Sequence, residues 1–478
     1  MTSSLQFQHF VDGRFVEGSG NPIEVLNPAT EQSLGAATDA GAALTDAAIG
    51  AARAAQDAWA AQPAIARAQY LRRIAAGIRE AAPQIASVIA REQGKLLALA
   101  QLEVGLAAEY LDYYAEWARR IEGEIISSDR PGENMFLFRR PLGVVAGILP
   151  WNFPFFMIAR KVAPALVTGN TIVIKPSEET PFCAYEFARI VAQAELPAGV
   201  FNLVNGLGAS VGQQLVASAD VDMISFTGSS AAGSAIMAGA ARNVTKVSLE
   251  LGGKAPSIIL ADANLDLAVA ALRWAKTMNS GQACNCSERV YVQRPVYDEF
   301  CERLRADFAS IRMGDPLAEG NDMGSLINRA AVERLSAQVA DARSKGAEVL
   351  SGGTGYEAGA GCFFEPTVLT GTSADMEVLK REIFGPMLML EPVDDLEQAI
   401  ALANDSEYGL TSSIFTNDLN SAMRAVSRLK FGETYVNRES FEAIQGFHAG
   451  VRRSGIGGAD GKHGLYEYMH TQVAYIQS

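Results

Sequence analysis

Three short apolar, partly β-branched runs, Leu142 to Leu149, Thr171 to Lys175 and Val221 to Phe226, each lead through a turn into a stretch of helical character. A run apolar at every position is buried on both faces, which suits a parallel strand covered by helices rather than an antiparallel strand with one wet side. The third run opens into Thr227-Gly228-Ser229-Ser230 before the small-residue helix Ala231 to Ala241. Alternation of this kind predicts an α/β fold with a parallel, doubly wound sheet. From Ala255 the pattern restarts, with Ser257 to Leu260, Arg289 to Gln293, Met387 to Leu390 and Ser413 to Phe415 as strands among long helical stretches, and a second α/β domain is expected. Ala42 to Trp59 and Ala64 to Gly94 read as two amphipathic helices ahead of the first sheet. Two segments fit neither domain. Glu124 to Arg140 reads as a hairpin turning at Arg130 to Gly132, and Tyr466 to Gln477 as a strand; both leave edges that need a partner. A surface arm is the other reading of the hairpin.

The chain has 478 residues and is 49% hydrophobic, enough for two or three domains with their own cores. Its net charge of −14, with no basic block, argues against nucleic acid or an anionic membrane as partner and for small ligands. No apolar run reaches the roughly 20 residues of a membrane span. The five cysteines, Cys183, Cys284, Cys286, Cys301 and Cys362, are odd in number and scattered. With an N-terminus lacking the regions of a signal peptide, they are expected to be reduced, cytoplasmic thiols.

Three residues in chain order supply the parts of a carbonyl chemistry. Asn152 sits in Pro150-Trp151-Asn152-Phe153-Pro154, Glu250 in Leu249-Glu250-Leu251-Gly252-Gly253-Lys254, and Cys284 in Gly281-Gln282-Ala283-Cys284-Asn285-Cys286. A thiol attacks a carbonyl, an amide stabilises the oxyanion, and a carboxylate activates water. Each has a plainer reading: a salt-bridge glutamate, a turn asparagine, a core cysteine. Cys286 competes with Cys284, because residues two apart on an extended segment face the same way. A metal site is disfavoured, since no C-x-x-C pair or neighbouring histidine completes a ligand set.

The run Gly206-Leu207-Gly208-Ala209-Ser210-Val211-Gly212 has one residue too many for a dinucleotide G-x-G-x-x-G and could be only a turn. Phe226-Thr227-Gly228-Ser229 ends a strand at a helix N-terminus, where free N–H groups and the helix dipole favour a pyrophosphate. Ser229 is the phosphate contact on this reading and an ordinary N-cap on the other. Lys175-Pro176-Ser177-Glu178 emerges at the carboxyl end of a strand, where α/β folds bind ligands.

The G-Q-x-C pattern at Gly281 to Cys284, with Glu250 and Asn152 in order, resembles the aldehyde dehydrogenase superfamily over nearly the whole chain. The resemblance implies an aldehyde dehydrogenase-like fold of two doubly wound α/β domains, a Rossmann-type cofactor domain and a catalytic domain, plus a small β oligomerisation element. It places the NAD-binding domain at 1–122 and 142–251, the catalytic domain at 252–452, and the oligomerisation hairpin and tail at 123–141 and 453–478, in a homodimer or homotetramer. It implies Cys284 as nucleophile, Asn152 with the Cys284 backbone N–H as oxyanion donors, and Glu250 as the base for hydrolysis. Relatives that pass the acyl group to coenzyme A commonly lack that glutamate, so a free acid is the expected product.

The same resemblance implies NAD as cofactor. Lys175 and Glu178 hold the adenosine ribose, Glu178 repelling a 2′-phosphate, and Glu382 and Phe384 position the nicotinamide ribose and ring. Glu333 adds a ribose contact, and Leu149, Trp151, Ser177, Gly208 and Gln213 line the groove with Phe226, Thr227, Gly228 and Leu251. The runs Ser280 to Arg289, Phe431 to Glu439 and Gly455 to Gly464 resemble a branch acting on short 2-hydroxyaldehydes such as lactaldehyde and glycolaldehyde. Arg160, Asn285, Glu442 and His448 are the candidates to bind the substrate hydroxyl, with a structural ion pair for Arg160 and loop packing for His448 as the alternatives. Two other functions stay open: a semialdehyde dehydrogenase whose Arg160 binds a distal carboxylate, and a non-catalytic NAD-binding scaffold.

Overall fold

In the computed structural model, which describes residue 5 and residues 7–478, the three apolar runs that open the alternation lie side by side. Strands Lys246–Glu250, Met223–Thr227, Val144–Ile148, Thr171–Lys175 and Phe201–Leu203 are parallel neighbours in that spatial order. Antiparallel strands flank them, Gly455–Ile456 on one side and His9–Val11 with Arg14–Val16 on the other, giving eight in all. The order of connection reverses between Val144–Ile148 and Met223–Thr227. Loops leaving a parallel sheet diverge at such a point and open a crevice beyond the carboxyl ends. The segment carrying Asn152 leaves the first of these strands, and Gly228-Ser229 leaves the second.

A second sheet of seven strands runs Glu348–Ser351, Thr367–Thr370, Met387–Val393, Ser287–Gln293, Ala255–Ile259, Thr411–Phe415 and Glu433–Val436. Only the first of these is antiparallel to its neighbour. Separate apolar clusters cover the two faces of each sheet, as a doubly wound arrangement requires. Among the described residues no helix is long and apolar enough to cross a membrane.

Some elements differ from the sequence expectation. Ala64 to Gly94 is two helices, Ala64–Glu80 and Ala82–Gln93, because Pro83 in the first turn of the second has no N–H to continue the ladder. Glu250 is the buried last residue of the strand Lys246–Glu250, a strand absent from the expected set. The range 453–478 does not act as one tail. Gly455–Ile456 pairs with Lys246–Glu250, the helix Gly461–Glu467 packs on the helix Pro154–Thr168, and only Met469–Gln477 joins the hairpin, antiparallel to Glu133–Pro141. Glu124–Ser127 completes that three-stranded sheet.

The helix Pro154–Thr168 is buried at every position but Phe156, yet it carries Arg160 and Lys161. Charges in a dry interior must be paired, so this helix commits the fold to bringing carboxylates against both.

Candidate active site

A cavity of about 350 Å³ opens between the ends of the two sheets, and Asn152, Glu250 and Cys284 all line it. Glu250 is in register with Thr227 of the adjacent strand, and Thr227 Oγ1 donates to its Oε2 at 3.2 Å. Lys161 Nζ donates to Oε1 at 2.9 Å, and Arg160 Nη1 lies 4.0 Å from Oε2. Burial alone would raise this carboxyl, but Lys161, Arg160 and His448 outweigh it and hold Glu250 at about 2.

Cys284 follows a turn whose residues Asn279, Ser280 and Gly281 all have positive φ, at 50°, 57° and 70°. Gly281 is required twice over, since a Cβ there would also lie 2.3 Å from the Gly385 carbonyl oxygen. Gln282 pins the turn: its Nε2 donates to Asn279 O and its Oε1 accepts from Ile327 N–H. Asn279 Nδ2 donates to the backbone oxygens of Asn152 (2.9 Å) and Gln282 (3.1 Å), joining the amide loop to the thiol loop. Asn152 Nδ2 donates one hydrogen to Gln282 O at 3.1 Å, which leaves the other for an oxyanion. Cys286 does not share the cavity. The loop is not extended there, so the thiol turns inward against Ala275, Met278 and Ala283, and its Sγ donates to Ala275 O. Burial pushes that thiol up, away from the reactive thiolate.

Lys95 and Glu103 support the Asn152 loop, and no local pattern in the sequence marked them. Lys95 Nζ donates to Glu103 Oε2 and to Asn152 O, both at 2.7 Å, while Glu103 Oε1 accepts from the N–H groups of Phe155 and Phe156 at the start of the next helix. Glu103 is thus a cap supplied from a distant helix.

Beside Cys284, Asn285 donates through Nδ2 to Glu442 Oε2 at 2.8 Å, and its buried Oδ1 has no partner among the described residues. Both residues and Arg160 line the cavity. Arg160 Nε donates to Asp460 Oδ1 at 3.0 Å, Nη2 pairs with Asp460 Oδ2, and Nη1 faces Glu442 at 3.4 Å. The structural ion pair is therefore real, and Asp460 is a cavity residue that sequence reading missed. His448 is buried outside the cavity lining, with Nδ1 2.5 Å from Glu433 Oε1. Burial would lower its pKa, but Glu442 together with the Cys284 and Glu433 side chains holds it well above the ordinary histidine range. Phe153, Phe156, Met157, Met278, Phe441 and Ile444 supply an apolar wall.

The cofactor candidates spread along the carboxyl edge of the first sheet. Thr227, Gly228 and Ser229 border the cavity where the helix Ser230–Ala240 begins. Ser229 is also the N-cap of that helix, its Oγ accepting from Ala232 N–H at 3.2 Å. Trp151, Leu251, Glu382 and Phe384 line the cavity, Trp151 and Phe384 meeting edge to face at 5.4 Å. Burial, then Glu288, raises Glu382 to about 8, while Gly253 N–H donates to its Oε1 at 2.7 Å. Leu149 and Phe226 are buried in the strand ends below. Lys175, Ser177 and Glu178 sit one strand over, outside the cavity, Lys175 being in register with Ile148 and reaching Glu178 at 3.3 Å. Gly208 begins a single helical turn ending at Gly212, near the Lys175 stem, and Gln213 is exposed just after it. Glu333 does not join them: it points to solvent on the helix Arg329–Ser344, and its neighbour Arg334 lines the cavity instead. A helical period puts successive residues about 100° apart, so a one-residue difference decides which side chain faces the site. Helix N–H groups for a diphosphate, carboxylates for ribose hydroxyls and a ring shelf at Phe384 together fit a dinucleotide.

Comparison with known proteins places these features in context. The aldehyde dehydrogenase family model matches residues 15–474. The chain is 57% identical to lactaldehyde dehydrogenase of Escherichia coli (strain K12), covering all of both proteins. It is 40% identical to 3,6-anhydro-alpha-L-galactose dehydrogenase of Vibrio sp. (strain EJY3), covering 98% of this chain and 99% of that one. A solved lactaldehyde dehydrogenase structure, 56% identical, superposes with a TM-score of 0.98 over 99% of both chains.

Proposed function

Because this chain belongs to the aldehyde dehydrogenase family and is an aldehyde-oxidising oxidoreductase, we propose that it oxidises short 2-hydroxyaldehydes, lactaldehyde and glycolaldehyde, to their acids. The observation that carries this reading is Asn285, which lines the cavity next to Cys284 and whose buried Oδ1 has no partner among the described residues. A hydroxyl on the carbon beside the carbonyl would donate to it, with Glu442 within the same network. A site built to bond a hydroxyl discriminates against analogues that lack it, because its own polar atom is then left unpaired. The likeness to lactaldehyde dehydrogenase over the full length supports the same substrate class.

In this mechanism Cys284 Sγ adds to the aldehyde carbon. The free hydrogen of the Asn152 amide and the Cys284 backbone N–H meet the oxygen as it becomes negative. NAD(P), when bound, supplies the hydride acceptor; Glu382, Phe384, Ser229 and the helix start behind it would hold it, with Lys175 and Glu178 at the far end. Glu250 takes a proton from the water that cleaves the thioester on Cys284. We assign NAD rather than NADP, since a 2′-phosphate near Glu178 would meet like charge. The test is kcat/KM for lactaldehyde, glycolaldehyde and propionaldehyde, each with NAD and NADP. The two hydroxyaldehydes with NAD should lead by about tenfold or more, and Asn285→Ala should narrow that lead; a wild type preferring propionaldehyde would overturn the substrate assignment.

The three-stranded sheet supports assembly as a homodimer or homotetramer. Among the described residues its strand Glu124–Ser127 has a free edge, and Ile125 (79%), Tyr475 (66%) and Ile476 (53%) are exposed on the sheet. Such an edge pairs readily with another chain, and light scattering on the purified protein reads the state directly.

A further inference from the structure

A guanidinium in an aldehyde cavity is a natural seat for a second carboxylate on the substrate, because two parallel N–H···O bonds fit that group. Here the seat is taken. Asp460 receives Arg160 Nε on Oδ1 at 3.0 Å and Nη2 on Oδ2, and Tyr110 OH donates to Oδ1 at 2.8 Å. The remaining nitrogen, Nη1, already faces Glu442 at 3.4 Å and Glu250 at 4.0 Å. Every nitrogen of Arg160 is therefore turned to an acid, and both members of the Arg160–Asp460 pair are almost fully buried. A carboxylate entering this end would find no free donor edge on Arg160 and would have to compete with Asp460, Glu442 and Glu250 for cations already paired to them.

Resting on the reading of this cavity as the aldehyde site, we propose that Asp460 is a specificity-determining residue: by occupying the Nε/Nη2 edge of Arg160 it reserves the cavity for uncharged, hydroxylated aldehydes and turns away aldehydes that carry a carboxylate. Asp460 comes from the start of the Gly461–Glu467 helix and lies 300 residues from Arg160 in the chain. Its φ of 72° is one that asparagine tolerates. Asp460→Asn therefore keeps shape, backbone and the Tyr110 contact while freeing part of the guanidinium fork.

The experiment compares the full-length wild type, Asp460→Asn and Asp460→Asn/Arg160→Gln on succinate semialdehyde, its uncharged amide 4-oxobutanamide, and propionaldehyde. Wild type should prefer the amide to the acid by about tenfold or more in kcat/KM, tenfold being about 1.4 kcal/mol. Asp460→Asn should raise the acid-to-amide ratio by a similar factor, and the added Arg160→Gln should abolish that gain. A wild type that turns over the acid as well as the amide overturns the proposal, and needs no variant to fold. A folded Asp460→Asn with an unchanged ratio overturns it too. A wild type that oxidises none of the three aldehydes, nor lactaldehyde, refutes the activity reading itself.

Discussion

Lys161 Nζ donates to Glu250 Oε1 across 2.9 Å, so the carboxylate proposed to activate water is held by an ammonium at the carboxyl end of its strand. A carboxyl at about 2 is a weak base toward water. The Lys161 pair therefore keeps Glu250 ionised in the resting site.

Replacement of Glu250 by glutamine should spare the first half of the reaction and block the second. Stopped-flow measurement should show one rapid equivalent of NAD(P)H per site, then a steady state slower by about 10²- to 10⁴-fold. A variant with the wild-type steady rate would take Glu250 out of hydrolysis.

The two neighbouring thiols should behave differently. Cys284→Ser should lower turnover by on the order of 10⁴-fold or more, and mass spectrometry of the wild type should find the trapped acyl group on Cys284. Cys286→Ser, at a thiol buried against Ala275, should change kcat by less than about threefold while costing about 1 kcal/mol of stability. An acyl group on Cys286 would reverse the assignment.

Lys95 and Glu103 form a wholly buried pair beneath the Asn152 loop. Removing one partner strands the other charge, so Lys95→Met should destabilise by about 3–5 kcal/mol. Lys95→Met/Glu103→Leu should recover part of that stability. Its kcat should stay low with KM little changed, because Asn152 O has lost one of its two donors and keeps only Asn279 Nδ2. Recovery of kcat in the double variant would reduce the pair to a purely structural role.

Acid should erode the stabilisation that Glu250 supplies. Its carboxyl rests at about 2 in the fold against an ordinary 4.5, so its contribution is complete above about pH 4.5 and lost as pH falls toward 2. The shift corresponds to about 3 kcal/mol. In urea unfolding between pH 7 and pH 3, the stability gap between wild type and Glu250→Gln should shrink as pH falls. A gap constant across that range would show that the Lys161 contact contributes little.

The alternation of apolar runs with helical stretches was enough to predict two sheets and most of their central strands, because strands buried on both faces announce themselves by composition. The shortest strands were less legible. His9–Val11 and Phe201–Leu203 span three residues each, too short for any period to register. The thiol, amide and carboxylate were readable because each sits in a local motif, and Gly281 and Gln282 show why that motif has its form: one residue must fit against Gly385, the other must tie the turn to Ile327.

What the sequence determined by itself was the α/β class and the chemical parts, since burial patterns and turn chemistry act between residues close in the chain. Tertiary structure alone decided which charge meets which. Arg160 and Lys161 are adjacent on one helix, yet one is matched by Asp460 and the other by Glu250, 300 and 89 residues away. A buried charge demands a partner without saying where in the chain that partner lies, and only the packed fold, by excluding water, makes the choice.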